Sequence, residues 1–549
     1  MAAPRRAGRT QALSTAASYV AVGTGVSRLT GLLRIVALAW ALGQHPLADA
    51  YNLANITPNM LYDFVLGGVI SATFIPVFIE QLHKKSEREA FESISAILTA
   101  SIVVLAVATV AALIAAPEFI NALTGLDTSS HTHTAAQVLQ ERAVATTLMR
   151  WFVIQIAAYG IFSLAGALLN TRRRFVAVAW GPIVNNIVCI GVLIWFGEWA
   201  GHGASLTSVQ QHHGQLVLLG LGTSLGVVIQ CVALIPSLRS ANLHLIRWHW
   251  NLRDSALRTV LQLSGWTFGF VVANQICVFV VTLLAGTASG SDPVSSYTYG
   301  YTFMQMPYGI VAVTVMSVVA PDLAQRWSSG DRAAFLARLT TGWRAVLALI
   351  IPAAVGMLLL AKPAVALLLG HGDSSASATS PTGAALAMFA LGLPGFCSYL
   401  YIVRVLQTMQ RTKVAFYLYL LENGLNIALA VALVHPLGVR GLALALSVAY
   451  SVSALVGLVL LRSWFGPLGT TATWAPLRRV ISASVIMGAV VLVVSNLSSA
   501  GSGTGLLIRV AASIVAGLVS YGVIAMLLGA RSARLRRQQL ARRRLTTRR

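Results

Sequence analysis

The chain reads as an all-α integral membrane protein with fourteen transmembrane helices, on three observations. Of its 549 residues 56% are hydrophobic and 10% are charged, with a mean hydropathy of +0.75, whereas a soluble protein carries about a quarter charged residues. Apolar stretches of about 20 residues, each long enough to cross a hydrocarbon core about 30 Å thick, recur along the whole length. Basic residues crowd every second connection between those stretches. The first stretch is too long for a signal peptide and lacks a small-residue cleavage site, so no cleaved leader is expected.

The fourteen spans fall near 14–42, 48–80, 91–116, 143–169, 176–198, 214–236, 258–287, 296–322, 342–369, 383–409, 414–435, 438–461, 478–497 and 505–529. The tail 1–13 carries Arg5, Arg6 and Arg9, and the first connection, GQHPLADA, carries no basic residue. HKKSERE then carries three, the connection with Arg142 one, TRRRF three, and GEWAGHGASLTSVQQHHG none. Arg239 to Arg258 holds four basic residues, GTASGSDPVSS none, the stretch from Gln325 to Arg344 four, and HGDSSASATSPTG none. This alternation, with an even number of spans, places both termini on the cytoplasmic side.

The net charge of +23 raises nucleic acid as a partner, but the alternation accounts for it and no nucleic-acid partner is expected. The tail 531–549 holds nine arginines and reads as an orientation signal with attraction to anionic lipid, a dedicated protein or nucleic-acid contact being the other reading. Cys189, Cys231, Cys277 and Cys397 all lie inside apolar spans and form neither a disulfide framework nor a metal motif. The histidines cluster in outward loops without a cysteine or carboxylate set, so no metal is expected. No connection is long enough to be a domain, which confines function to the bilayer and its edges.

Charged side chains inside a bilayer cost roughly 3 kcal/mol on insertion scales and mark function. Arg28 lies about 14 residues into the first span, about 21 Å along its axis, and lines either a water-filled anion site or a structural ion pair; Arg34, six residues on, poses the same choice. The second span is polar, with Asn52, Asn55, Asn59 and Tyr62 at three- and four-residue steps, so they share a stripe. That stripe reads as a cavity wall or as an interhelical hydrogen-bond seam. Asp63, deep in the span, calls for a partner such as Arg28 or Arg34. Asn274 and Gln275 mark the seventh span; Tyr299, Tyr301, Thr302 and Gln305 mark the eighth. Arg404 either snorkels or acts, while Lys362, Arg509 and Arg150 favour snorkelling. Glu422 and Asn426 share a face at i,i+4, a protonatable or ion-coordinating pair or else a structural hydrogen bond.

Two segments share a plan. LLNTRRRFVAVAWGPIVNN (168–186) and VLQTMQRTKVAFYLYLLENGLN (405–426) each run from a helix end through a basic turn into a helix bearing asparagines. They would be the fourth and fifth helices of two six-helix lobes, spanning 14–240 and 258–465, with two extra helices over 476–530.

On SRLTGLLR, ADAYNLANITPNMLYDFVLGGVISATFIPVF, SLAGALLNTRRRFVAVAWGPIVNN, MQMPYGIVAVTVMSVVAPDLA, RVLQTMQRTK and PLGVRGLALALSVAYSV the chain resembles the MurJ (MviN) family of lipid II flippases, within the multidrug/oligosaccharidyl-lipid/polysaccharide exporter superfamily. The resemblance covers nearly the whole chain. It implies two lobes around a central cationic cavity that open alternately, passage of the diphosphate-sugar head through it, and a groove at helices 13 and 14 for the polyprenyl tail. Lipid II and membrane lipids are then the partners, with cell-wall synthesis proteins beside them. No cofactor is implied, and coupling is to sodium, protons or the membrane potential. The family's first-helix arginines correspond to Arg28 and Arg34, its tenth-helix basic residue to Arg404, and its acidic residue opening the second helix to Asp49, a gate partner for Arg34. The departures are Tyr62 and Asp63 in place of a paired Arg-Arg, Gly67 and Gln305 in place of glutamates, and Thr302 in place of an arginine; at the seventh helix Asn274 and Gln275 stand where some members use a sodium-binding aspartate. The substrate set therefore comprises Arg28, Arg34, Asn52, Asn55, Asn59, Tyr62, Asp63, Thr302 and Gln305, and the ion-coupling set Asn274, Gln275, Glu422 and Asn426.

Other readings are an exporter of a different polyprenyl-linked oligosaccharide or of a cationic drug, a membrane glycosyltransferase or polymerase, and a scaffold of envelope assembly. The cavity arginines speak against a cationic cargo. An enzyme would need clustered acidic groups at a membrane surface, and Asp49, Glu118, Asp127, Glu198, Asp292 and Asp373 are scattered singly.

Overall fold

The computed structural model describes residues 3–43, 45–64, 74–84, 86–125, 135–172, 174–241, 247–251, 253–288, 292–370, 379–466, 471–497 and 502–546, and these are helical without a β-sheet. Gly67, Asp127 and Asp373 lie outside them. The helices are α1 (Ala3–Leu42), α2 (Pro46–Tyr62), α3 (Ile75–Lys84), α4 (Glu87–Leu123), α5 (Ala135–Phe152), α6 (Ile154–Thr171), α7 (Phe175–Ala200), α8 (Leu206–Gln211), α9 (His213–Val232) and α10 (Ile235–Arg239), followed by α11 (Ser255–Gly286), α12 (Pro293–Pro307), α13 (Val313–Ser328), α14 (Arg332–Leu369), α15 (Ser380–Thr408), α16 (Thr412–Leu437), α17 (Val439–Phe465), α18 (Thr471–Asn496) and α19 (Gly503–Thr546). Among the described residues thirteen helices are long and apolar enough to cross a membrane. The expected second span, 48–80, includes 65–73 and so lies partly outside the described residues.

Local chemistry sets the ends. Ser86 and Glu89 form a capping box at the start of α4. The Asp254 carboxylate accepts from Ala256 N–H at 2.8 Å to open α11, and Asp331 accepts from Ala334 N–H at 2.9 Å to open α14. Interior prolines are tolerated at membrane depth because neighbouring helices supply compensating contacts. Pro307, which lacks an N–H, is followed by a single π-helical turn at Tyr308–Ala312 that joins α12 to α13. Several sequence boundaries move: α1 starts at Ala3 rather than at residue 14, the fourth span is broken at Val153, and α19 continues through the basic tail to Thr546.

The helices up to α10 pack mainly on one another, as do α11 to α17, while α18 and α19 pack on α14. Close approach needs small residues. Gly392 and Gly395 of α15 lie against Ser447 and Ser451 of α17, where a Cβ would clash. The two segments with a shared plan make comparable contacts. Asn186 of α7 donates to Ser27 O (3.2 Å) and Thr30 Oγ1 (3.0 Å) of α1, and Asn426 of α16 donates to Cys277 Sγ of α11 at 3.2 Å. Where the two groups of helices meet, α1 and α2 face α12, α4 faces α11, and α1 also touches α14. Residues 247–251 and Asp254 lie along α4, with Arg247 and His249 N–H donating to Ser95 Oγ (3.2 Å) and Thr99 Oγ1 (3.1 Å), and Ser93 donating to Asp254 at 3.1 Å.

Candidate functional site

Arg28 and Arg34 sit on the same uninterrupted helix and face different surroundings. Arg28, half-buried, reaches the α12–α13 junction, where a Cβ on Gly309 would lie 3.0 Å from its Nε. The π-turn presents that glycine to the guanidinium. Tyr308, next to it, lies within electrostatic reach of both Arg28 and Arg404 and packs its ring on Phe396 at 4.9 Å. Arg404 is exposed on α15. Neither arginine has a carboxylate partner among the described residues. Arg28 of α1 and Arg404 of α15 thus belong to the two groups of helices on opposite sides of the seam.

Arg34 turns into the first group of helices. It hydrogen-bonds the Tyr51 hydroxyl, with Tyr159 and Cys189 close by. Tyr51 in turn meets Thr223 Oγ1 at 3.1 Å, and Cys189 donates to Asn185 Oδ1 at 3.3 Å. α1 continues as one helix through Gly31, and their six-residue spacing puts Arg28 and Arg34 on different faces of it. A single cavity holding both is not what the geometry gives.

Asp49 does not pair with Arg34. Its buried carboxylate accepts from the Val294 and Ser295 N–H groups at 3.2 and 2.7 Å, capping α12 from across the seam. The free N–H groups and the positive end of the helix dipole supply what an arginine would have supplied. Asn52, one turn further along α2, donates to Ser295 Oγ (2.9 Å) and Tyr299 OH (3.3 Å). Together they latch α2 to α12 at the end of the bundle opposite the chain termini.

The polar stripe of α2 divides below that latch. Asn59 donates to its own helix at Asn55 O (2.8 Å), and the Asn55 Oδ1 is buried without a hydrogen-bond partner. Tyr62 turns away to meet Ser163 Oγ at 2.5 Å and the Tyr159 ring at 5.8 Å. Asp63 is exposed, and its partner is Gln275, whose Nε2 donates at 3.4 Å, not an arginine. Gln275 is not among the residues lining the cavity that holds Asn274, Glu422 and Asn426. Thr302 is satisfied by Thr298 O at 2.8 Å, and Gln305 bonds Tyr301.

The other ion-coupling candidates do converge. A cavity of about 210 Å³ is lined by Asn274, Cys277, Tyr301, Glu422, Asn426 and Tyr450, among others. Glu422 is 2% exposed, no lysine or arginine is among the described residues lining the space, and Asn426 Oδ1 is buried without a hydrogen-bond partner among them. A carboxylate and amide oxygens around an open volume suit a hard monovalent cation or a proton. Sequence reasoning missed Tyr308, Gly309, Ser295 and Cys277. The Pro-Tyr-Gly run at 307–309 was the available signal for the first two, since proline followed by glycine marks a helix irregularity.

Comparison with known proteins follows the fold. The sequence model of the family described as lipid II flippase MurJ matches residues 38–512. A probable lipid II flippase MurJ from Rhizobium meliloti (strain 1021) is 26% identical over 532 residues, covering 94% of each chain. One from Vibrio cholerae serotype O1 is also 26% identical, covering 93% of this chain and 95% of its own. Among solved structures, a lipid II flippase MurJ in an inward closed conformation superposes with a TM-score of 0.73 at 23% identity, over 92% of this chain and 98% of that one. An inward-facing multidrug resistance MATE family transporter gives 0.63 at 15% identity, over 81% and 98%.

Proposed function

The chain belongs to the lipid II flippase MurJ family, and we propose that it moves lipid II from the cytoplasmic to the outer leaflet of a bacterial cell membrane by alternating access. It is a transporter and not an enzyme. Lipid II and the surrounding membrane lipids are its partners. The finer architecture of this reading is fourteen spans in two six-helix lobes, 14–240 and 258–465, with helices 13 and 14 beside them and both termini cytoplasmic. The observation that carries it is Arg28, half-buried where α1 meets the α12–α13 junction, its Nε 3.0 Å from where a Cβ on Gly309 would lie, without a carboxylate partner among the described residues.

A diphosphate bearing sugars and peptide cannot enter hydrocarbon without losing its hydration. Two arginines, charged in any environment and able to grip phosphate bidentately, replace that hydration. Because one arginine belongs to each lobe, binding the head group ties the lobes together at that level. The Asp49 and Asn52 latch holds the outer end shut in this state. Opening it transfers the head outward while the prenyl tail stays in lipid, along the groove at helices 13 and 14. Asn274, Glu422 and Asn426 form the coupling site, whose occupant is sodium or a proton; Arg34 supports the first lobe from within.

Reconstitution in vesicles with lipid II tests the reading. Wild-type protein should expose the head group to a reagent on the far side, and Arg28→Ala together with Arg404→Ala should not. Equal transport by wild type and both variants would remove the assignment.

A further inference from the structure

At the end of the bundle opposite the termini, α14, α15 and α19 enclose a second cavity, of about 230 Å³. It is separate from the seam and from Glu422. Lys362 of α14 and Arg509 of α19 bring two cationic side chains to it, the first turn of α15 opens on it at Thr379 and Ser380, and Pro363 and Leu506 line its apolar side. No carboxylate is among its described lining residues. Arg509 Nε donates to Ser495 Oγ of α18 at 3.2 Å, which fixes the plane of the guanidinium. The 29-residue α15 begins at this space, so the positive end of its dipole faces the cavity.

Size, charge and position bound the ligand. The volume falls below the roughly 300–1,000 Å³ of a small-molecule pocket, so it takes a head-group fragment and excludes a sugar-peptide. A lysine point charge beside an arginine fork is a phosphate-binding combination. Next to Leu506, Leu507 and Ile508 face outward with 51% and 62% of their surface exposed, on the side of a membrane helix that meets lipid. An anion reaching the cavity along that side carries a hydrocarbon chain.

We propose that this cavity binds phosphate, supplied by the head group of an anionic lipid in the leaflet opposite the termini. The site rests on the membrane placement given above but not on the seam arginines, so the two fail separately. The test is native mass spectrometry of the full-length protein in detergent, titrated with dioleoyl phosphatidic acid, with dioleoyl phosphatidylcholine as the zwitterionic control. A parallel arm follows the melting temperature with inorganic phosphate. Phosphatidic acid should bind in preference to phosphatidylcholine. Lys362→Gln combined with Arg509→Gln should weaken it by at least about thirtyfold, the loss expected when both charge-assisted contacts go. Lys362→Arg and Arg28→Ala should retain it. Should the double variant melt early, the exposed Lys362→Gln alone replaces it, with the same sign of effect. Stabilisation by inorganic phosphate, lost in the same variants, supports the phosphate site with a soluble source. Equal binding of phosphatidic acid by wild type and variants, or equal binding of both lipids, overturns it.

Discussion

In the first group of helices Arg34 is surrounded by Tyr51, Tyr159 and Cys189; in the second, Glu422 is surrounded by Tyr301, Tyr450 and Cys277. The neighbours are of the same kinds, and both charges are carried at membrane depth. Arg34 is bonded to Tyr51, itself held by Thr223. Glu422 instead faces an open volume of about 210 Å³ beside the unpartnered Asn426 Oδ1. The difference separates two ways of tolerating a charge in a bilayer. One closes hydrogen bonds around it and is structural. The other leaves room for a counter-ion, which is what the proposed coupling site needs. Arg28, without a carboxylate partner among the described residues, differs from Arg34 in the same way, and the proposed anion and cation positions lie on different helices.

The largest effect should come from Arg28→Ala. Loss of a charge-assisted phosphate contact worth about 2–3 kcal/mol predicts a 30- to 150-fold drop in lipid II affinity, measured on purified protein. Glu422→Gln should leave that affinity within about threefold while abolishing the dependence of transport on sodium or on a proton gradient; persistence of that dependence would move the coupling site elsewhere. Asp49→Asn keeps the shape of the latch but removes its charge. Weakening two backbone hydrogen bonds by about 1–2 kcal/mol in total should raise the labelling rate of a cysteine placed at Ser295, and an unchanged rate would show that the latch carries no load.

These substitutions also show what was legible in the residues. That the chain is a bundle of many long apolar helices follows from composition and length, although thirteen such spans are found among the described residues where fourteen are expected. Glu422, Asn274 and Asn426 stand out as polar groups in apolar spans and Asp49 by the family resemblance, yet their partners do not. Asp49 meets backbone N–H groups of α12, and a backbone donor leaves no trace in side-chain identity. Asp63 was assigned an arginine on the assumption that it was deep, but it is exposed beside Gln275. Tyr62 left the stripe of Asn52 because spacing on one helix does not say which neighbour each face meets. Gly309 carries no chemistry of its own and matters only for the space it leaves to Arg28.

Smaller effects sharpen the same contrast. Gly309→Ala places a Cβ 3.0 Å from Arg28 Nε, so the guanidinium must yield by a few tenths of an ångström. Lipid II affinity should fall by about threefold to tenfold, as one bidentate contact is misaligned, without any change in ion dependence. Tyr51→Phe removes the hydroxyl that Arg34 and Thr223 share. It should lower stability by about 1–2 kcal/mol, read as an earlier thermal melt, and leave the lipid II affinity of the folded protein in place.

The most direct test of the seam is a double-mutant cycle on lipid II binding with Arg28→Ala, Arg404→Ala and the two together. If both guanidiniums hold one diphosphate, the combined loss should fall short of the sum of the single losses by about 1–3 kcal/mol. Losses that add to within about 0.5 kcal/mol would mean that the two arginines act on separate groups, and the clamp between the lobes would have to be abandoned.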